Sequence, residues 1–233
     1  VQGTVTTEPG IYGGQTFYLQ DATGGVYVYQ SSTGFHQGDV VKLTASTTLY
    51  NTELELASPV LIEKVGTEEL PEAVKVDSVN AANQGQLIAL QQVKITNIIT
   101  ASPSGSFEFD AISASGVSNH VRVDVRTGLS LGDFPYEEGQ IVNLQGVSSI
   151  FKDVYQLKVR GISDISLSQA NVPPETSAAL SEQPNSNGWI NRNVTLTLTA
   201  TGPEPASTIY WLNDGAESEY SGPVVVDREG INI

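Results

Sequence analysis

The sequence predicts an all-β chain: two small five-stranded barrels in tandem, then part of a β-sandwich. Three observations lead there. Short apolar stretches alternate with period two between glycine-rich turns. A motif of the first stretch returns 101 residues later, and the last quarter changes to strict Val-Thr-Leu-Thr alternation behind a proline-bearing connection. At 233 residues the chain accommodates two to three small domains, each with a modest core of its own.

Residues 1–66 form the first predicted domain, with strands over 1–7, 16–20, 26–30, 40–45 and 54–62. Pro9, Gly10, Gly13 and Gly14 mark a loop after the first strand, where glycine permits positive φ. Asp21-Ala-Thr-Gly-Gly25 supplies the hairpin connection between the second and third. Neither Gly13-Gly14 nor Gly24-Gly25 is followed by a helical pattern, so both pairs read as turn formers and not as phosphate cradles.

An acidic linker over 67–84 follows, with a short helix expected over 77–83 capped by Asp77. The second predicted domain, 85–168, repeats the strand pattern over 86–97, 106–112, 119–126, 140–147 and 155–162. Gly38-Asp-Val-Val-Lys-Leu43 matches Gly139-Gln-Ile-Val-Asn-Leu144, and Leu49-Tyr50 matches Ile150-Phe151, both at an offset of 101. Leu54-Glu-Leu56 aligns with Leu157-Lys-Val159 at 103. A period of that length is a whole domain and not a solenoid repeat. Two copies of a five-stranded barrel are the economical reading, and the five-stranded Greek-key barrel is the OB-fold.

From 169 onward the character changes. Asn171-Val-Pro-Pro-Glu-Thr176 reads as a stiff linker. Turns are expected at Asn187-Gly-Trp189 and Asn213-Asp-Gly215, and strands over 194–199, 209–212 and 223–226. This is sandwich patterning of the immunoglobulin-like kind. It stops at Ile233 inside an expected strand, so residues 169–233 are read as a linker and an incomplete Ig-like domain.

The chain has no Cys, 26 acidic and 11 basic residues, and a net charge of −15. Disulfides, thiolate metal sites and thiol nucleophiles are excluded. The missing Cys also argues against a eukaryotic secreted module, where domains this small lean on disulfides. Six of the eleven basic residues lie within 85–168. So acidic a chain repels phosphate backbones at long range, leaving only local contacts to nucleic acid. No apolar run approaches the ~20 residues of a membrane span. The chain starts with Val1 already in strand pattern and without an initiator Met, so it is expected to be a segment of a larger protein.

Enzyme signatures are absent: no Gly-x-Ser-x-Gly elbow, no His-Glu-x-x-His and no Gly-Lys-Ser/Thr phosphate loop. No catalytic residue and no cofactor is therefore assigned. His36 and His120 fall in different domains without metal-ligand spacing and read as surface residues. The acidic pairs Glu137-Glu138 and Asn213-Asp214 lack the ligand spacing of a calcium site.

Alternation yields two candidate ligand-binding sets. With Phe17, Leu19, Val26 and Val28 inside the first barrel, Tyr18, Tyr27 and Tyr29 point out on its second and third strands. That is the face OB-folds offer to oligonucleotides and oligosaccharides, and tyrosine stacks on a base for ~1–3 kcal/mol. In the second barrel the same rule buries Val121, Val123, Val125, Leu157 and Val159. It exposes Arg122, Asp124, Arg126, Lys158 and Arg160, whose four cations suit phosphates where acids do not neutralise them. Each set has a structural alternative: tyrosines packing across strands or at a domain contact, and charges on a solvated strand face.

Thr16-Phe-Tyr-Leu-Gln-Asp-Ala-Thr-Gly-Gly25 followed by Gly38-Asp-Val-Val41 is similar to the OB-like domains of large secreted bacterial nucleases and nucleotidases. Gly85-Gln-Leu-Ile88 with Val93-Lys-Ile-Thr96 looks like the entry to a second copy. Pro173-Pro-Glu-Thr176, Asn187-Gly-Trp189, Val194-Thr-Leu-Thr197, Tyr220-Ser-Gly-Pro223 and Glu229-Gly230 resemble bacterial Ig-like modules. The resemblance implies a non-catalytic accessory module of a secreted or cell-wall-associated bacterial enzyme, a nuclease or phosphoesterase. Its implied partners are single-stranded nucleic acid and a flanking catalytic domain of the same polypeptide. A structural stalk and a carbohydrate-binding module remain the alternatives.

Overall fold

A computed structural model describes residues 1–30, 34–168, 175–201, 209–211 and 217–227. Its first strands are β1 (Gln2–Val5), β2 (Phe17–Asp21), β3 (Gly24–Tyr29), β4 (Asp39–Tyr50) and β5 (Glu53–Thr67). They pair in the order β1-β2-β3-β5-β4 and close into a barrel through β4 against β1. Every pairing is antiparallel except β3 with β5, which is parallel. Period-two alternation sends Val5, Phe17, Leu19, Val28, Val41, Leu43 and Leu56 to one side of the pleat, where they make the core. The β4–β5 hairpin runs further than the sequence pattern indicated: β4 continues through the exposed residues 46–50 and β5 through the largely exposed residues 63–67, where no alternation of burial marks the strand.

The next strands are β6 (Val74–Lys75), β7 (Leu87–Thr100), β8 (Phe107–Ile112), β9 (Ser118–Val123), β10 (Ile141–Phe151), β11 (Val154–Lys158) and β12 (Ile165–Leu167). They form one sheet, in which β7-β8-β9-β11-β10 returns on itself by pairing β10 with β7. The parallel contact recurs at the equivalent place, β9 with β11. Inside the circuit, Leu90, Ile95, Phe107, Phe109, Val121 and Leu157 are all at most 1% exposed. Short β6 and β12 extend the sheet from β7 and β10.

Three sequence expectations need correction here. The helix over 77–83 is only a 3-10 turn, Ala81–Asn83, capped by Asn80 and not by Asp77. The segment 67–84 is not a free linker: Thr67 ends β5 and the Glu68 amide donates to the Gly38 carbonyl of the first barrel, while β6 pairs with β7 and the Val79 amide donates to Asn119 Oδ1 at 2.8 Å on the second circuit. Strand β9 ends at Val123, where the sequence placed it through Arg126. There Asp124 turns inward, accepts from the Arg126 amide at 3.0 Å and caps the turn Val125–Thr127, which leaves it 7% exposed.

The internal repeat keeps one register across its β4–β5 and β10–β11 hairpins. Val28 faces Leu56 across the first parallel contact and Val121 faces Leu157 across the second, so the offset after the hairpin stays 101 and not 103. Both hairpin tips carry two residues with positive φ, Asn51-Thr52 and Lys152-Asp153. A two-residue turn of that kind fixes the register on its far side.

Val1–Ser168 forms one unit and Gln169–Ile233 another. In the second unit β13 (Glu175–Leu180), β14 (Val194–Thr201), β15 (Ile209–Trp211), β16 (Glu217–Glu219) and β17 (Val224–Val226) are antiparallel. They make a sheet β13-β14-β17 and a pair β15-β16. Val194 and Leu196 are its buried residues among those described. Strand β13 was not anticipated, because all six of its residues are exposed. The sequence features at 171–174, 212–215 and 229–230 lie outside the described residues.

Candidate functional site

The two candidate sets predicted from sequence meet each other. Tyr18 on β2 and Tyr27 on β3 do point away from the first core, as alternation requires, but the surface they point into is the second β circuit. With Tyr12, Leu87 and Val147 they form a separate apolar cluster, and Tyr18 is 0% exposed. Tyr18 and Tyr27 are therefore not an open stacking face. Of the three predicted tyrosines only Tyr29, at 57% exposure, is turned to solvent.

Lys158, at the end of β11, extends into this cluster. Its Nζ lies 4.3 Å from the Tyr12 ring centroid, 5.3 Å from that of Tyr18 and 5.5 Å from that of Tyr27. Such contacts are worth ~0.5–1 kcal/mol at exposed sites and about 2 kcal/mol when desolvated. The rings are held relative to one another: Tyr12 meets Tyr18 edge-on at 6.1 Å, and Tyr18 lies tilted against Tyr27 at 5.0 Å. Lys158 Nζ donates to the Tyr18 hydroxyl at 3.4 Å, and that hydroxyl donates to Glu53 Oε1 at 2.6 Å. Tyr18 thus stands between a cation of one barrel and a carboxylate of the other. The Tyr12 hydroxyl donates to the carbonyls of Lys158 (3.0 Å) and Val159 (3.1 Å), so the ring that covers the ammonium also grips its strand.

Burial dominates the electrostatics of this cage. It pulls the Lys158 ammonium below the ordinary lysine pKa, with Glu53 opposing. It lifts Glu53 above the usual carboxylate range, with Lys158 and the Tyr18 hydroxyl opposing. Tyr18 is raised well above its usual value by burial and then by Glu53, Tyr12 by burial and then by Asp164. Tyr27 is pushed up to about 12, again by burial first. Shifts in that direction keep Tyr12, Tyr18 and Tyr27 protonated at neutral pH, so none of the three is a base there.

The arginines of the second set are held by acids. Arg126 makes a fork to Asp124 at 2.9 and 2.7 Å, and Arg160 makes one to Asp164 at 2.9 and 2.7 Å. Arg122 Nη1 donates to Glu108 at 2.5 Å. Planar guanidinium forks of this type use the donors a phosphate would need. Arg126 and Arg160 also touch the first barrel. The Arg126 guanidinium lies against Gly13, where a Cβ would come within 2.6 Å of Nη1, and Arg160 Nη1 reaches the Thr6 carbonyl at 3.4 Å.

Further contacts complete the junction. Gln20 Oε1 accepts from the Leu87 amide at 2.7 Å. At the hairpin tips the Lys152 amide donates to the Asn51 carbonyl at 2.7 Å and the Asp153 amide to Thr52 Oγ1 at 2.8 Å. Gly25 and Gly85 pass backbone to backbone, so close that a Cβ on either would overlap the other's carbonyl. Gly85 also holds a φ of 79°, which glycine adopts without steric cost.

Sequence reasoning missed Tyr12, Glu53 and the Gly25–Gly85 contact. Tyr12 lies in a glycine-rich loop without period, and Glu53 follows a turn where an acid reads as solvated. Of the histidines, His36 is exposed and pairs with Glu8 at 2.8 Å. His120 lies 3.6 Å from Glu108 and 3.5 Å from Asp110 on opposite ring nitrogens. Glu138 accepts from the Ile98 amide at 2.7 Å, while Asn213-Asp214 lies outside the described residues. Among the described residues no group of three or more His, Asp or Glu side chains is arranged to hold a metal ion, and no helix is long and apolar enough to cross a membrane. No protein-family model matches this chain, and no curated protein is detectably similar to it.

Proposed function

We propose that the chain is a non-catalytic positioning module of a secreted enzyme, in which two OB-like barrels are docked through their faces into one spacer element and are followed in the chain by an Ig-like domain. The observation that carries this reading is the contact of the tyrosines with Lys158. The Tyr18–Tyr27 part of the face that would stack bases or sugars is covered by the second barrel, Arg126, Arg160 and Arg122 are paired with Asp124, Asp164 and Glu108, and Lys158 is linked to Glu53 through the Tyr18 hydroxyl. The OB-like description is supported by the strand circuit β1-β2-β3-β5-β4 with its parallel β3–β5 contact, and by the same pattern in the second circuit. The antiparallel sheet β13-β14-β17 supports the Ig-like one. Placement beside a nuclease or phosphoesterase rests on the resemblance carried by Thr16–Gly25 and Gly38–Val41.

Titration with a fluorescent single-stranded oligonucleotide tests the reading. At low salt, where electrostatic attraction is greatest, the spacer gives no saturable binding. Saturable binding that Tyr29→Ala abolishes overturns it in favour of a substrate-presenting face.

A further inference from the structure

We infer that the first barrel carries a receptor for a primary ammonium group, formed by Tyr12, Tyr18, Tyr27 and Glu53, and that Lys158 of the second barrel is its tethered ligand. The components of such a receptor are present together. Three ring faces or edges surround the ammonium within 5.5 Å. One hydroxyl, that of Tyr18, accepts a hydrogen bond from it and passes its charge on to a buried carboxylate. An aromatic cage with one carboxylate is the arrangement that favours a compact cation over a neutral group of equal size. It also favours lysine over arginine: the ammonium is a point charge on a flexible stem, whereas a planar guanidinium needs a fork of acceptors. The arginines of the same barrel have such forks in Asp124 and Asp164. Lys158 has none.

A cleft of about 210 Å³ runs beside the Gly25–Gly85 contact and is lined by Tyr27, Glu53, Leu54 and Gln84, so two members of the cage face it. Binding of a free amine requires that it reach the cage from this side once the resident side chain is shortened.

Lys158→Ala removes the stem from Cγ to Nζ, a volume that n-propylammonium replaces. Seven of the nine tyrosines lie in the first unit and both tryptophans, Trp189 and Trp211, in the second, so the tyrosine band of the near-ultraviolet circular dichroism, recorded in a background in which Tyr210 and Tyr220 are replaced by Phe, follows the barrels during thermal unfolding of the full chain. Lys158→Ala is expected to lower the midpoint of that transition. Millimolar n-propylammonium chloride is expected to raise it saturably towards the parent value, while n-propanol and sodium chloride leave it unchanged. Lys158→Arg is expected to stay well below the parent. Equal recovery with n-propanol reduces the site to an apolar cavity and overturns the inference. Failure of propylammonium to act, an unaltered midpoint in Lys158→Ala, or full stability in Lys158→Arg overturns it as well. Should Lys158→Ala not fold, Lys158→Met keeps the stem and deletes the charge. A midpoint below the parent, partly recovered by adding Glu53→Gln, supports the receptor, and a midpoint equal to or above the parent overturns it.

Discussion

The two barrels share a strand circuit and a register, yet the same face does opposite things in each. Tyr18 pairs with Tyr27 on β2 and β3, and at the equivalent positions, 92 and 93 residues on, Asp110 pairs with His120 on β8 and β9. The equivalence follows from the core residues beside them, Phe17 against Val28 and Phe109 against Val121. In the first barrel the pair is aromatic and closed over a lysine, with Tyr18 fully buried and Tyr27 partly so. In the second it is ionic and partly exposed, with Glu108 and Arg122 continuing a row of paired charges. A pleated strand sends alternate residues outward in both cases. What those residues are decides whether the face docks or stays in water. Enclosed tyrosines remove apolar area from water and supply ring faces to a cation, whereas a row of opposite charges in solvent contributes little net stability.

The strongest way to break this contrast is to hold the faces apart. Gly85→Val places a branched side chain where the Gly25 backbone passes and forces a φ of 79° on a residue that disfavours it. Denaturant unfolding is expected to lose more than about 3 kcal/mol, at the upper end of single-substitution effects. It should also separate into two transitions, because each barrel keeps its own core. A single transition with the parent's midpoint contradicts the claim that the Gly25–Gly85 approach holds the barrels together.

A narrower cut is Tyr18→Phe, which keeps the ring and deletes the hydroxyl between Lys158 and Glu53. Leaving charged partners without that bridge is expected to cost about 1–3 kcal/mol. At the equivalent position of the second barrel, Asp110→Asn serves as the comparison. Guanidinium titration of both variants checks whether the loss is confined to the aromatic face.

Much of this was legible from the sequence, and the limit has a physical cause. Alternation places Tyr18 and Tyr27 outside the first core and Lys158 and Arg160 outside the second, since a strand with an apolar partner face has no other register. The same alternation is blind to what lies beyond the outward residues, because that depends on how two finished barrels dock. Tyr12 has no period to reveal it, and Gly25 and Gly85 read as turn formers although their role is mutual approach. Asp124 fell on the wrong side of the pleat because a capping interaction ended the strand at Val123, three residues before the end that the pattern implied.

Carboxylates at the junction sharpen the contrast further, since they titrate with opposite sign. Glu53 in the first barrel is raised by burial, so its contribution to stability is present below the ordinary carboxylate value of about 4.3 and is lost as pH rises through its folded pKa. Asp124 in the second is held low: burial alone would raise it, but the hydrogen bonds from Arg126 outweigh that. Its contribution is present above the ordinary value of about 3.9 and is lost as pH falls through its folded pKa. Glu53→Gln is expected to flatten the decline of stability above about pH 4.3, and Asp124→Asn the decline below about pH 3.9. Urea midpoints from pH 2.5 to 8 measure both slopes. Equal slopes in parent and variant show that the residue titrates alike in folded and unfolded chains.

The smallest effect is expected where the second barrel's face stands in place of the first's. His120 lies partly exposed between Glu108 and Asp110, at distances beyond those of a strong hydrogen bond. Neither acid depends on it: Glu108 keeps Arg122 at 2.5 Å, and Asp110 keeps the Asn97 amide at 3.0 Å. His120→Ala is therefore expected to change unfolding free energy by no more than about 0.5 kcal/mol, the range of an ordinary surface substitution. Tyr27→Ala, at the equivalent position 93 residues earlier, opens the cage and deletes a ring in contact with both Tyr18 and Lys158. Its expected cost is about 3–5 kcal/mol, that of truncating a large core aromatic. Parallel guanidinium titrations give the difference directly. Similar losses at both positions mean that the second face is also docked, and in that event the contrast between the barrels is one of residue chemistry and not of exposure to water.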